Sequence, residues 1–120
     1  MEALEVAKAI QLKISQLDKM KGELRPAIDE FCKAASAYDK QVAVSIVKIK
    51  NGVEVQIDPD HTIKNPPASV MERLAKGMCY QEKLTMDTAE QVLKALYTRV
   101  RITEAQLNGY QSINRYLSEV

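Results

Sequence analysis

Hydrophobic residues recur along the first third of the chain at alternating steps of three and four. The stripe has twelve positions, and eleven of them are apolar or aromatic: Ala3, Ala7, Ile10, Ile14, Leu17, Lys21, Leu24, Ile28, Phe31, Ala35, Tyr38 and Val42. An average spacing of 3.5 residues is typical of a coiled-coil seam. The pattern predicts a long helix over about residues 2–41 that packs against another helix along this stripe.

Two residues inside the first stripe disfavour helix. Gly22 is flexible, and Pro26 cannot donate a backbone hydrogen bond to the carbonyl of Gly22. The apolar register passes through both residues without a shift, which favours one helix with a kink near residues 22–26. A break at this point, which would give two shorter helices, is the alternative.

A second stripe with the same spacing runs through the last half of the chain. It begins at "NPPASVMERL", where two prolines suit a first helical turn and Ser69 with Glu72 fits a capping box. Its positions are Met71, Leu74, Met78, Glu82, Met86, Ala89, Leu93, Leu96, Val100, Thr103, Leu107, Tyr110, Asn114 and Leu117. The pattern predicts a helix over about residues 67–118, with Gly77 and Gly109 as its least helix-favouring positions.

The segment between the two stripes, "AVSIVKIKNGVEVQID", alternates β-branched and polar residues over residues 43–58. It predicts a β-hairpin that turns at Asn51-Gly52. A two-residue loop would place charged and apolar side chains together on one face. A three-residue loop pairs Ile49 with Val53 and Val47 with Val55, and it separates an apolar face from a charged one, so this register is favoured. Residues 59–66 then form a loop.

These elements predict one mostly α domain over residues 1–120. Its two long helices pack as an antiparallel coiled-coil hairpin, and the β-hairpin is inserted at the tip. If the chain reverses between residues 42 and 67, residue i faces about residue 108 minus i. The second helix would then outrun the first by about fourteen residues, "LNGYQSINRYLSEV", roughly 21 Å of helix. A fold-back of this segment at Gly109 is the alternative.

Two surfaces of this arrangement lack a cover within one copy of the chain. A lone two-stranded hairpin is marginal in water and has open edges, and an apolar strip on an overhanging helix is typical of an interface. We therefore expect a second copy or a partner protein to contact both surfaces. The residues concerned are Ile46, Val47, Ile49, Val53, Val55 and Ile57 in the hairpin and Leu107, Tyr110, Ile113, Tyr116 and Leu117 in the overhang.

Composition narrows the function classes. With 17 basic and 16 acidic residues, the chain has no electrostatic preference for nucleic acid, membrane or acidic substrates. No apolar run reaches the eighteen or so residues of a membrane span, and the first residues lack the basic-then-apolar order of a signal peptide. The two cysteines form no CxxC motif. A cytoplasmic protein that does not enter the membrane is expected.

Groups that could carry chemistry are sparse. The segment "DPDHTIKNPP" holds the only histidine, His61, beside Asp58 and Asp60, and three such ligands on an exposed turn are a poor metal set. There is no phosphate-binding glycine loop and no Ser-His-Asp grouping, so we predict no metal, no cofactor and no enzymatic activity. Cys32 and Cys79 would face each other across the helices, where reduced thiols are favoured over a disulfide.

Arginines and tyrosines alternate near the C-terminal end of the second stripe. Arg99, Arg101 and Arg115 could contact a small ligand or nucleic acid, with nearby tyrosine rings stacking on bases. Glu104 and Glu119 interrupt this basic run. A solvated helix face is therefore favoured, and nucleic-acid binding is not.

Two resemblances bear on function. The order long helix, β-hairpin, long helix resembles the β-type subunit of prefoldin over the whole chain, which implies a barrel of hairpins with projecting coiled coils. The segments "KIKNGVEVQID", "KNPPASV" and "AQLNGYQSINRYL" are similar to segments of small proteins from phages and prophages of Gram-positive bacteria. That second resemblance implies a phage accessory role, such as binding a host factor or a defence component.

The sequence thus predicts a non-enzymatic, oligomeric interaction protein, a phage accessory protein that binds a host or defence-system protein. Two other functions remain open. One is an oligomer that sequesters a small ligand or nucleotide between protomers, in a pocket lined by arginine and tyrosine. The other is a prefoldin-like holdase that protects unfolded clients. Neither the identity of the partner nor the number of protomers follows from the sequence.

Overall fold

A computed structural model describes residues 2–119, which form three helices and a two-stranded antiparallel sheet. The order is α1 (Ala3–Lys50), β1 (Val55–Asp58), β2 (His61–Ile63), α2 (Ala68–Met78) and α3 (Tyr80–Glu119). The long helix α1 packs against α3, and the β-hairpin lies between them in the chain. This confirms the predicted mostly α fold with a helix–β-hairpin–helix order.

Contacts divide the chain into two units. The first unit joins the residues up to Asp29 with those from Gln91 onward, and the second is Glu30–Glu90. In the first unit the N-terminal half of α1 packs against the C-terminal part of α3. The second unit holds the end of α1, the β-hairpin, α2 and the start of α3.

Helix α1 is continuous through Pro26, so the favoured single helix is confirmed and the alternative break does not occur. Gly22 and Pro26 are both exposed. Water can therefore hydrogen-bond the Gly22 carbonyl that Pro26 leaves without a backbone donor. The packing of the stripe on either side of these two residues stabilises the helix and compensates for their low helix propensity.

The buried stripe of α1 differs from the predicted one in the first half of the helix. Ala7, Ile14 and Lys21 are exposed there, and the buried or half-buried positions come one residue earlier, at Val6, Lys13 and Met20. The other predicted positions from Ile10 onward are buried or half-buried: Ile10, Leu17, Leu24, Ile28, Phe31, Ala35, Tyr38 and Val42. Met20 thus replaces Lys21, the polar exception in the predicted stripe, and Lys21 is exposed. Both stripes have a period of 3.5, and the choice between them depends on the partner helix.

The predicted overhang of the second helix is wrong. In the first unit the Thr103 hydroxyl donates a hydrogen bond to the Met20 sulfur, 3.7 Å away. Residue i of α1 therefore faces about residue 123 minus i of α3, which places Leu117 level with Val6, a fully buried residue. The register moved because α1 runs to Lys50, about nine residues beyond its predicted end, so the chain reverses later.

The predicted hairpin around Asn51-Gly52 is also wrong, because these residues end α1. Gly52 has φ +85°, its amide donates to the Ile49 carbonyl over 3.1 Å, and the amide of Val53 donates to the Lys48 carbonyl over 3.1 Å. This pair of bonds is the Schellman motif, which needs a left-handed residue just after the helix. The left-handed glycine was predicted correctly, but it caps a helix and does not join two strands.

The observed hairpin lies further along the chain, with its turn at residues 58–61, "DPDH". Val55 pairs with Ile63, Gln56 with Thr62 and Asp58 with His61, and a bulge at Ile57 accounts for the odd residue. Residues predicted as a loop therefore supply β2, and the second predicted strand overlaps β1. The predicted pairs of Val47 with Val55 and Ile49 with Val53 do not exist.

The second unit has a small apolar core that the end of α1, β1 and α2 share. Ile49, Val55 and Ala75 are buried at its centre, and Val42, Ile46, Met71 and Leu74 pack around them. Because α1 continues to Lys50, it presents Ile49 to this core from one side. The sheet thus gains the cover that a lone hairpin lacks.

The predicted second helix is divided at Cys79 into α2 and α3. The amide of Cys79 donates to the Lys76 carbonyl three residues back, and its own carbonyl accepts from Lys83, so the interruption is one residue long. The buried Cys79 thiol lies 3.5 Å from the Ser45 hydroxyl on α1. The predicted capping box is absent, since Pro67 precedes the first turn of α2 and no side chain caps it.

Two glycine substitutions with opposite expected effects test the helix cap. Gly52→Ala should lower the free energy of unfolding by about 1 kcal/mol or more, because alanine is strained at φ +85°. Gly22→Ala should raise it by about 0.5–1 kcal/mol, because a Cβ there meets open space in a helix interior. Urea unfolding followed by circular dichroism measures both, and a stabilised Gly52→Ala variant would contradict the cap.

A second pair of variants separates the helix from the predicted strand over residues 46–50. Ile49→Ala should cost about 2–5 kcal/mol, because Ile49 is 1% exposed, whereas Val47→Ala should change the stability by less than about 0.5 kcal/mol, because Val47 is 57% exposed. In the predicted hairpin both side chains share one face and would lose similar stability. Chemical denaturation distinguishes the two outcomes.

Candidate functional site

A groove of about 520 Å³ opens beside the β-hairpin in the second unit. One wall is β1, the other is the last two turns of α2, and the first residue of α3 closes one end. The lining residues are Val55, Gln56, Ile57, Arg73, Leu74, Gly77, Met78 and Tyr80. Two of the lining residues, Met78 and Tyr80, lie on either side of the one-residue interruption at Cys79.

The groove follows β1 on the side away from β2. Three consecutive residues of the strand, Val55, Gln56 and Ile57, line it, and no residue of β2 does. The bulge at Ile57 interrupts the usual alternation of side chains, so neighbouring residues can line one cavity there. One edge of β1 pairs with β2, and the edge on the groove side is unpaired within the two-stranded sheet.

The walls of the groove are largely apolar and partly exposed. Ile57 is 55% exposed, Met78 38% and Tyr80 66%, while Leu74 is half-buried beneath them. Gly77 has no neighbouring heavy atom within 4 Å of where a Cβ would lie, so the α2 wall is open at that point. Exposed apolar side chains gathered around a concave surface are typical of a binding site.

Arg73 is the charged residue of the groove. It lies on α2 and is exposed, and no acidic side chain within residues 2–119 forms an ion pair with it. The neighbouring pair of Glu72 and Lys76, with 3.1 Å between Nζ and Oε1, is satisfied within α2. Arg73 therefore places an uncompensated positive charge at the rim of an apolar groove.

Hydrogen bonds to the Asp58 carboxylate stabilise the turn between β1 and β2. Its carboxylate accepts the His61 Nδ1–H over 2.7 Å and the Asp60 amide over 2.9 Å. The hydrogen bond from His61 is the main cause that lowers the pKa of Asp58 below its usual 3.8, and the Asp60 amide adds to it. These residues, predicted as an exposed turn, are indeed exposed, and no three potential ligands gather as a metal site in the part of the chain described.

The hairpin residues predicted as an interface are divided between core and surface. Ile49 and Val55 are buried, and Ile46 packs against them, so the chain itself largely covers these three side chains. Val47, Val53 and Ile57 are exposed. Only Val55 and Ile57 from this predicted set line the groove.

The predicted residues near the C-terminus are divided in the same way. Leu107, Tyr110 and Leu117 are half-buried along the seam with α1, so the chain itself covers them. Ile113 is 40% exposed and Tyr116 67%. The predicted stripe of the second helix is confirmed within α3 except at Asn114, which is exposed, and Leu96, Val100 and Thr103 are its buried members.

Ile113 and Tyr116 belong to a second stripe on α3, which we name the flank stripe. Its positions each precede a seam position by one residue, about 100° around the helix: Val92, Ala95, Arg99, Ile102, Gln106, Gly109, Ile113 and Tyr116. All eight are exposed, and five are aliphatic or aromatic. Arg99 is the single charged member.

The positions that follow the seam by one residue form the opposite flank of α3. They are Lys94, Tyr97, Arg101, Glu104, Asn108, Gln111, Arg115 and Ser118, and four of these eight are charged. The two flanks thus differ strongly in polarity. Arg101 and Arg115 lie on this flank and Arg99 on the other, so the three predicted arginines do not converge.

Both cysteines are free. Cys32 is exposed and Cys79 is buried, so the bridge considered for them is not formed.

Sequence reasoning missed Arg73, Leu74, Gly77, Met78 and Tyr80 as residues of one surface. Leu74 and Met78 were placed in the helical stripe, and Gly77 was identified only as a soft position. The sequence did contain one indication: the apolar stripe is interrupted by a charged residue, Glu82. Such an interruption indicates that the helix need not be continuous near that position. Their approach to β1 depends on the true hairpin position, which the predicted register concealed.

Measuring the pKa of Asp58 tests its hydrogen bond with His61 in the turn. Because the folded pKa is lowered, the carboxylate contributes stability to the turn above pH 3.8, and this contribution is lost as the pH falls through the folded pKa. His61→Ala should raise the pKa of Asp58 toward 3.8, and the neighbouring exposed Thr62→Ala should leave it unchanged. Carboxyl-carbon NMR titration measures both, and an unshifted value in the His61→Ala variant would contradict the contact.

No helix within residues 2–119 is long and apolar enough to cross a membrane. The chain matches no protein-family model, no curated protein and no solved structure. A function therefore has to be inferred from the groove and the flank stripe.

Proposed function

We propose that the protein is a non-enzymatic interaction protein that self-associates through the flank stripe of α3. The observation that carries this proposal is the uneven polarity of α3, with one charge on the flank stripe against four on the opposite flank. A solvated helix face is normally polar, and the opposite flank has this character. An apolar face of heptad period is the pattern of helices that pack against further helices.

The occupant of the flank stripe is proposed to be a second copy. In a two-fold interface the same stripe lies on both sides, so an apolar face meets an apolar face. The near balance of 17 basic and 16 acidic residues adds little repulsion between copies. Ile102 and Ile113, 53% and 40% exposed, are the anchors expected at the centre of such an interface.

A role as a phage accessory protein in the cytoplasm, acting on a host or defence-system protein, belongs to the same proposal. It is supported by the resemblance of three short segments and by a surface suited to protein partners. Sequestration of a small ligand through converging arginines has less support, because Arg99 lies on a different flank from Arg101 and Arg115. No contact favours the holdase over the interaction protein.

A double variant tests self-association. Ile102→Lys with Ile113→Lys places two charges in the flank stripe and should raise the dimer dissociation constant at least about tenfold, since each buried isoleucine contributes roughly 1.5–3 kcal/mol. Asn108→Lys with Gln111→Lys, which adds two charges on the opposite flank, is the matched control and should leave association unchanged. Analytical ultracentrifugation over a concentration series measures the constants.

Circular dichroism should show that all three proteins keep the same helix content, since the substituted positions are exposed. A wild-type chain that stays monomeric at tens of micromolar would contradict the proposal. Equal weakening by the control variant would place the interface elsewhere.

A further inference from the structure

We propose that the groove beside β1 binds an extended, acidic segment of a partner protein, which adds to the hairpin as a third strand. This site lies in the second unit, whereas the flank stripe belongs to the first. The inference goes beyond self-association and does not depend on it.

The backbone supplies the first reason. The edge of β1 that faces the groove is not paired with β2, and its amides and carbonyls can bond to an added strand. Strand addition of this kind gives affinity through main-chain hydrogen bonds and specificity through pockets for alternate side chains. A two-stranded sheet is marginal, so a third strand would also stabilise the hairpin itself.

The walls supply the second reason. A segment laid along β1 would direct alternate side chains toward Leu74 and Met78 on one side and toward solvent on the other. The missing side chain at Gly77 leaves space on the α2 wall for one larger apolar residue. Tyr80, 66% exposed at the end of the groove, can cover an apolar residue at that position.

Charge supplies the third reason and decides the chemistry of the occupant. Arg73 lines the groove without an ion-pair partner in the chain as described, while Lys76 one turn along pairs with Glu72. A guanidinium at an apolar rim favours a carboxylate, which it can hold by two parallel hydrogen bonds. The segment therefore carries an aspartate or glutamate together with alternating apolar residues.

The test uses the full-length chain and a displayed library of random nine-residue peptides as the probe. The peptides enriched should alternate apolar and polar residues and carry an acidic residue at a fixed position. Arg73→Glu should weaken the best acidic peptide about tenfold and shift the selection to basic residues. Lys33→Glu, an equal charge change at an exposed residue of α1 outside the groove, is the control and should leave the selection unchanged.

One further measurement separates strand addition from general apolar docking, and another tests whether the groove is the site. Methylating the amides on one alternate set of peptide residues should abolish binding, while methylating the other set should not, because only one edge of the added strand faces β1. Gly77→Leu should fill the groove and reduce binding at least about tenfold, and its unfolding curve should show that the chain stays folded, since a Cβ there meets open space.

The proposal is overturned if no peptide family is enriched, if both methylated peptides bind equally, or if Gly77→Leu binds as the wild type does. Enrichment of peptides that match "VEVQID" would identify the occupant as the hairpin of a second copy, which also overturns a partner segment. The double variant in the flank stripe should bind the peptides normally, so failure of self-association and failure of the groove are distinguishable.

Discussion

The cap that Gly52 forms after α1 governs the second unit. The amides of Gly52 and Val53 close the helix with backbone hydrogen bonds to the carbonyls of Ile49 and Lys48, and the φ of +85° at Gly52 favours glycine there. Because the helix lasts until Lys50, Ile49 faces Val55 and Ala75 and forms the core with them. The same cap delays the reversal of the chain, which sets the register of α1 against α3 in the first unit.

The core that results is thin. Among the residues described, nine hydrophobic residues are buried, whereas fourteen large hydrophobic side chains are exposed. A stable monomer normally buries most of its large apolar side chains, although single exposed ones are common. The exposed groups here are not evenly spread, since several line the groove beside β1 and several others lie along one flank of α3. This clustering gives the molecule two separate surfaces with different characters, a concave strand edge and a convex helix face.

Periodicity predicted the helices well and the tip poorly, for a physical reason. Both apolar stripes of α3 have the heptad spacing of a helix, so the pattern there admits a helix and not a strand. The residues "VAVSIVKIK" satisfy two patterns at once, because Val42, Ser45 and Ile49 continue the helical seam while alternate residues suit a strand. Asn51-Gly52 is equally ambiguous, since a left-handed glycine suits both a hairpin turn and a helix cap. Tertiary packing of Ile49 decided between them. The groove could not be predicted, because it exists only when β1 and α2 are placed correctly.

The two free thiols differ in exposure, so they should differ in their rate of reaction with a thiol reagent. Cys32 is exposed, whereas Cys79 is buried at the junction of α2 and α3, beside the Ser45 hydroxyl. A thiol-specific reagent should therefore modify Cys32 at once and Cys79 only when the junction opens. The rate of the slow phase of alkylation thus depends on how often α2 separates from α1. This rate therefore measures local unfolding of the second unit.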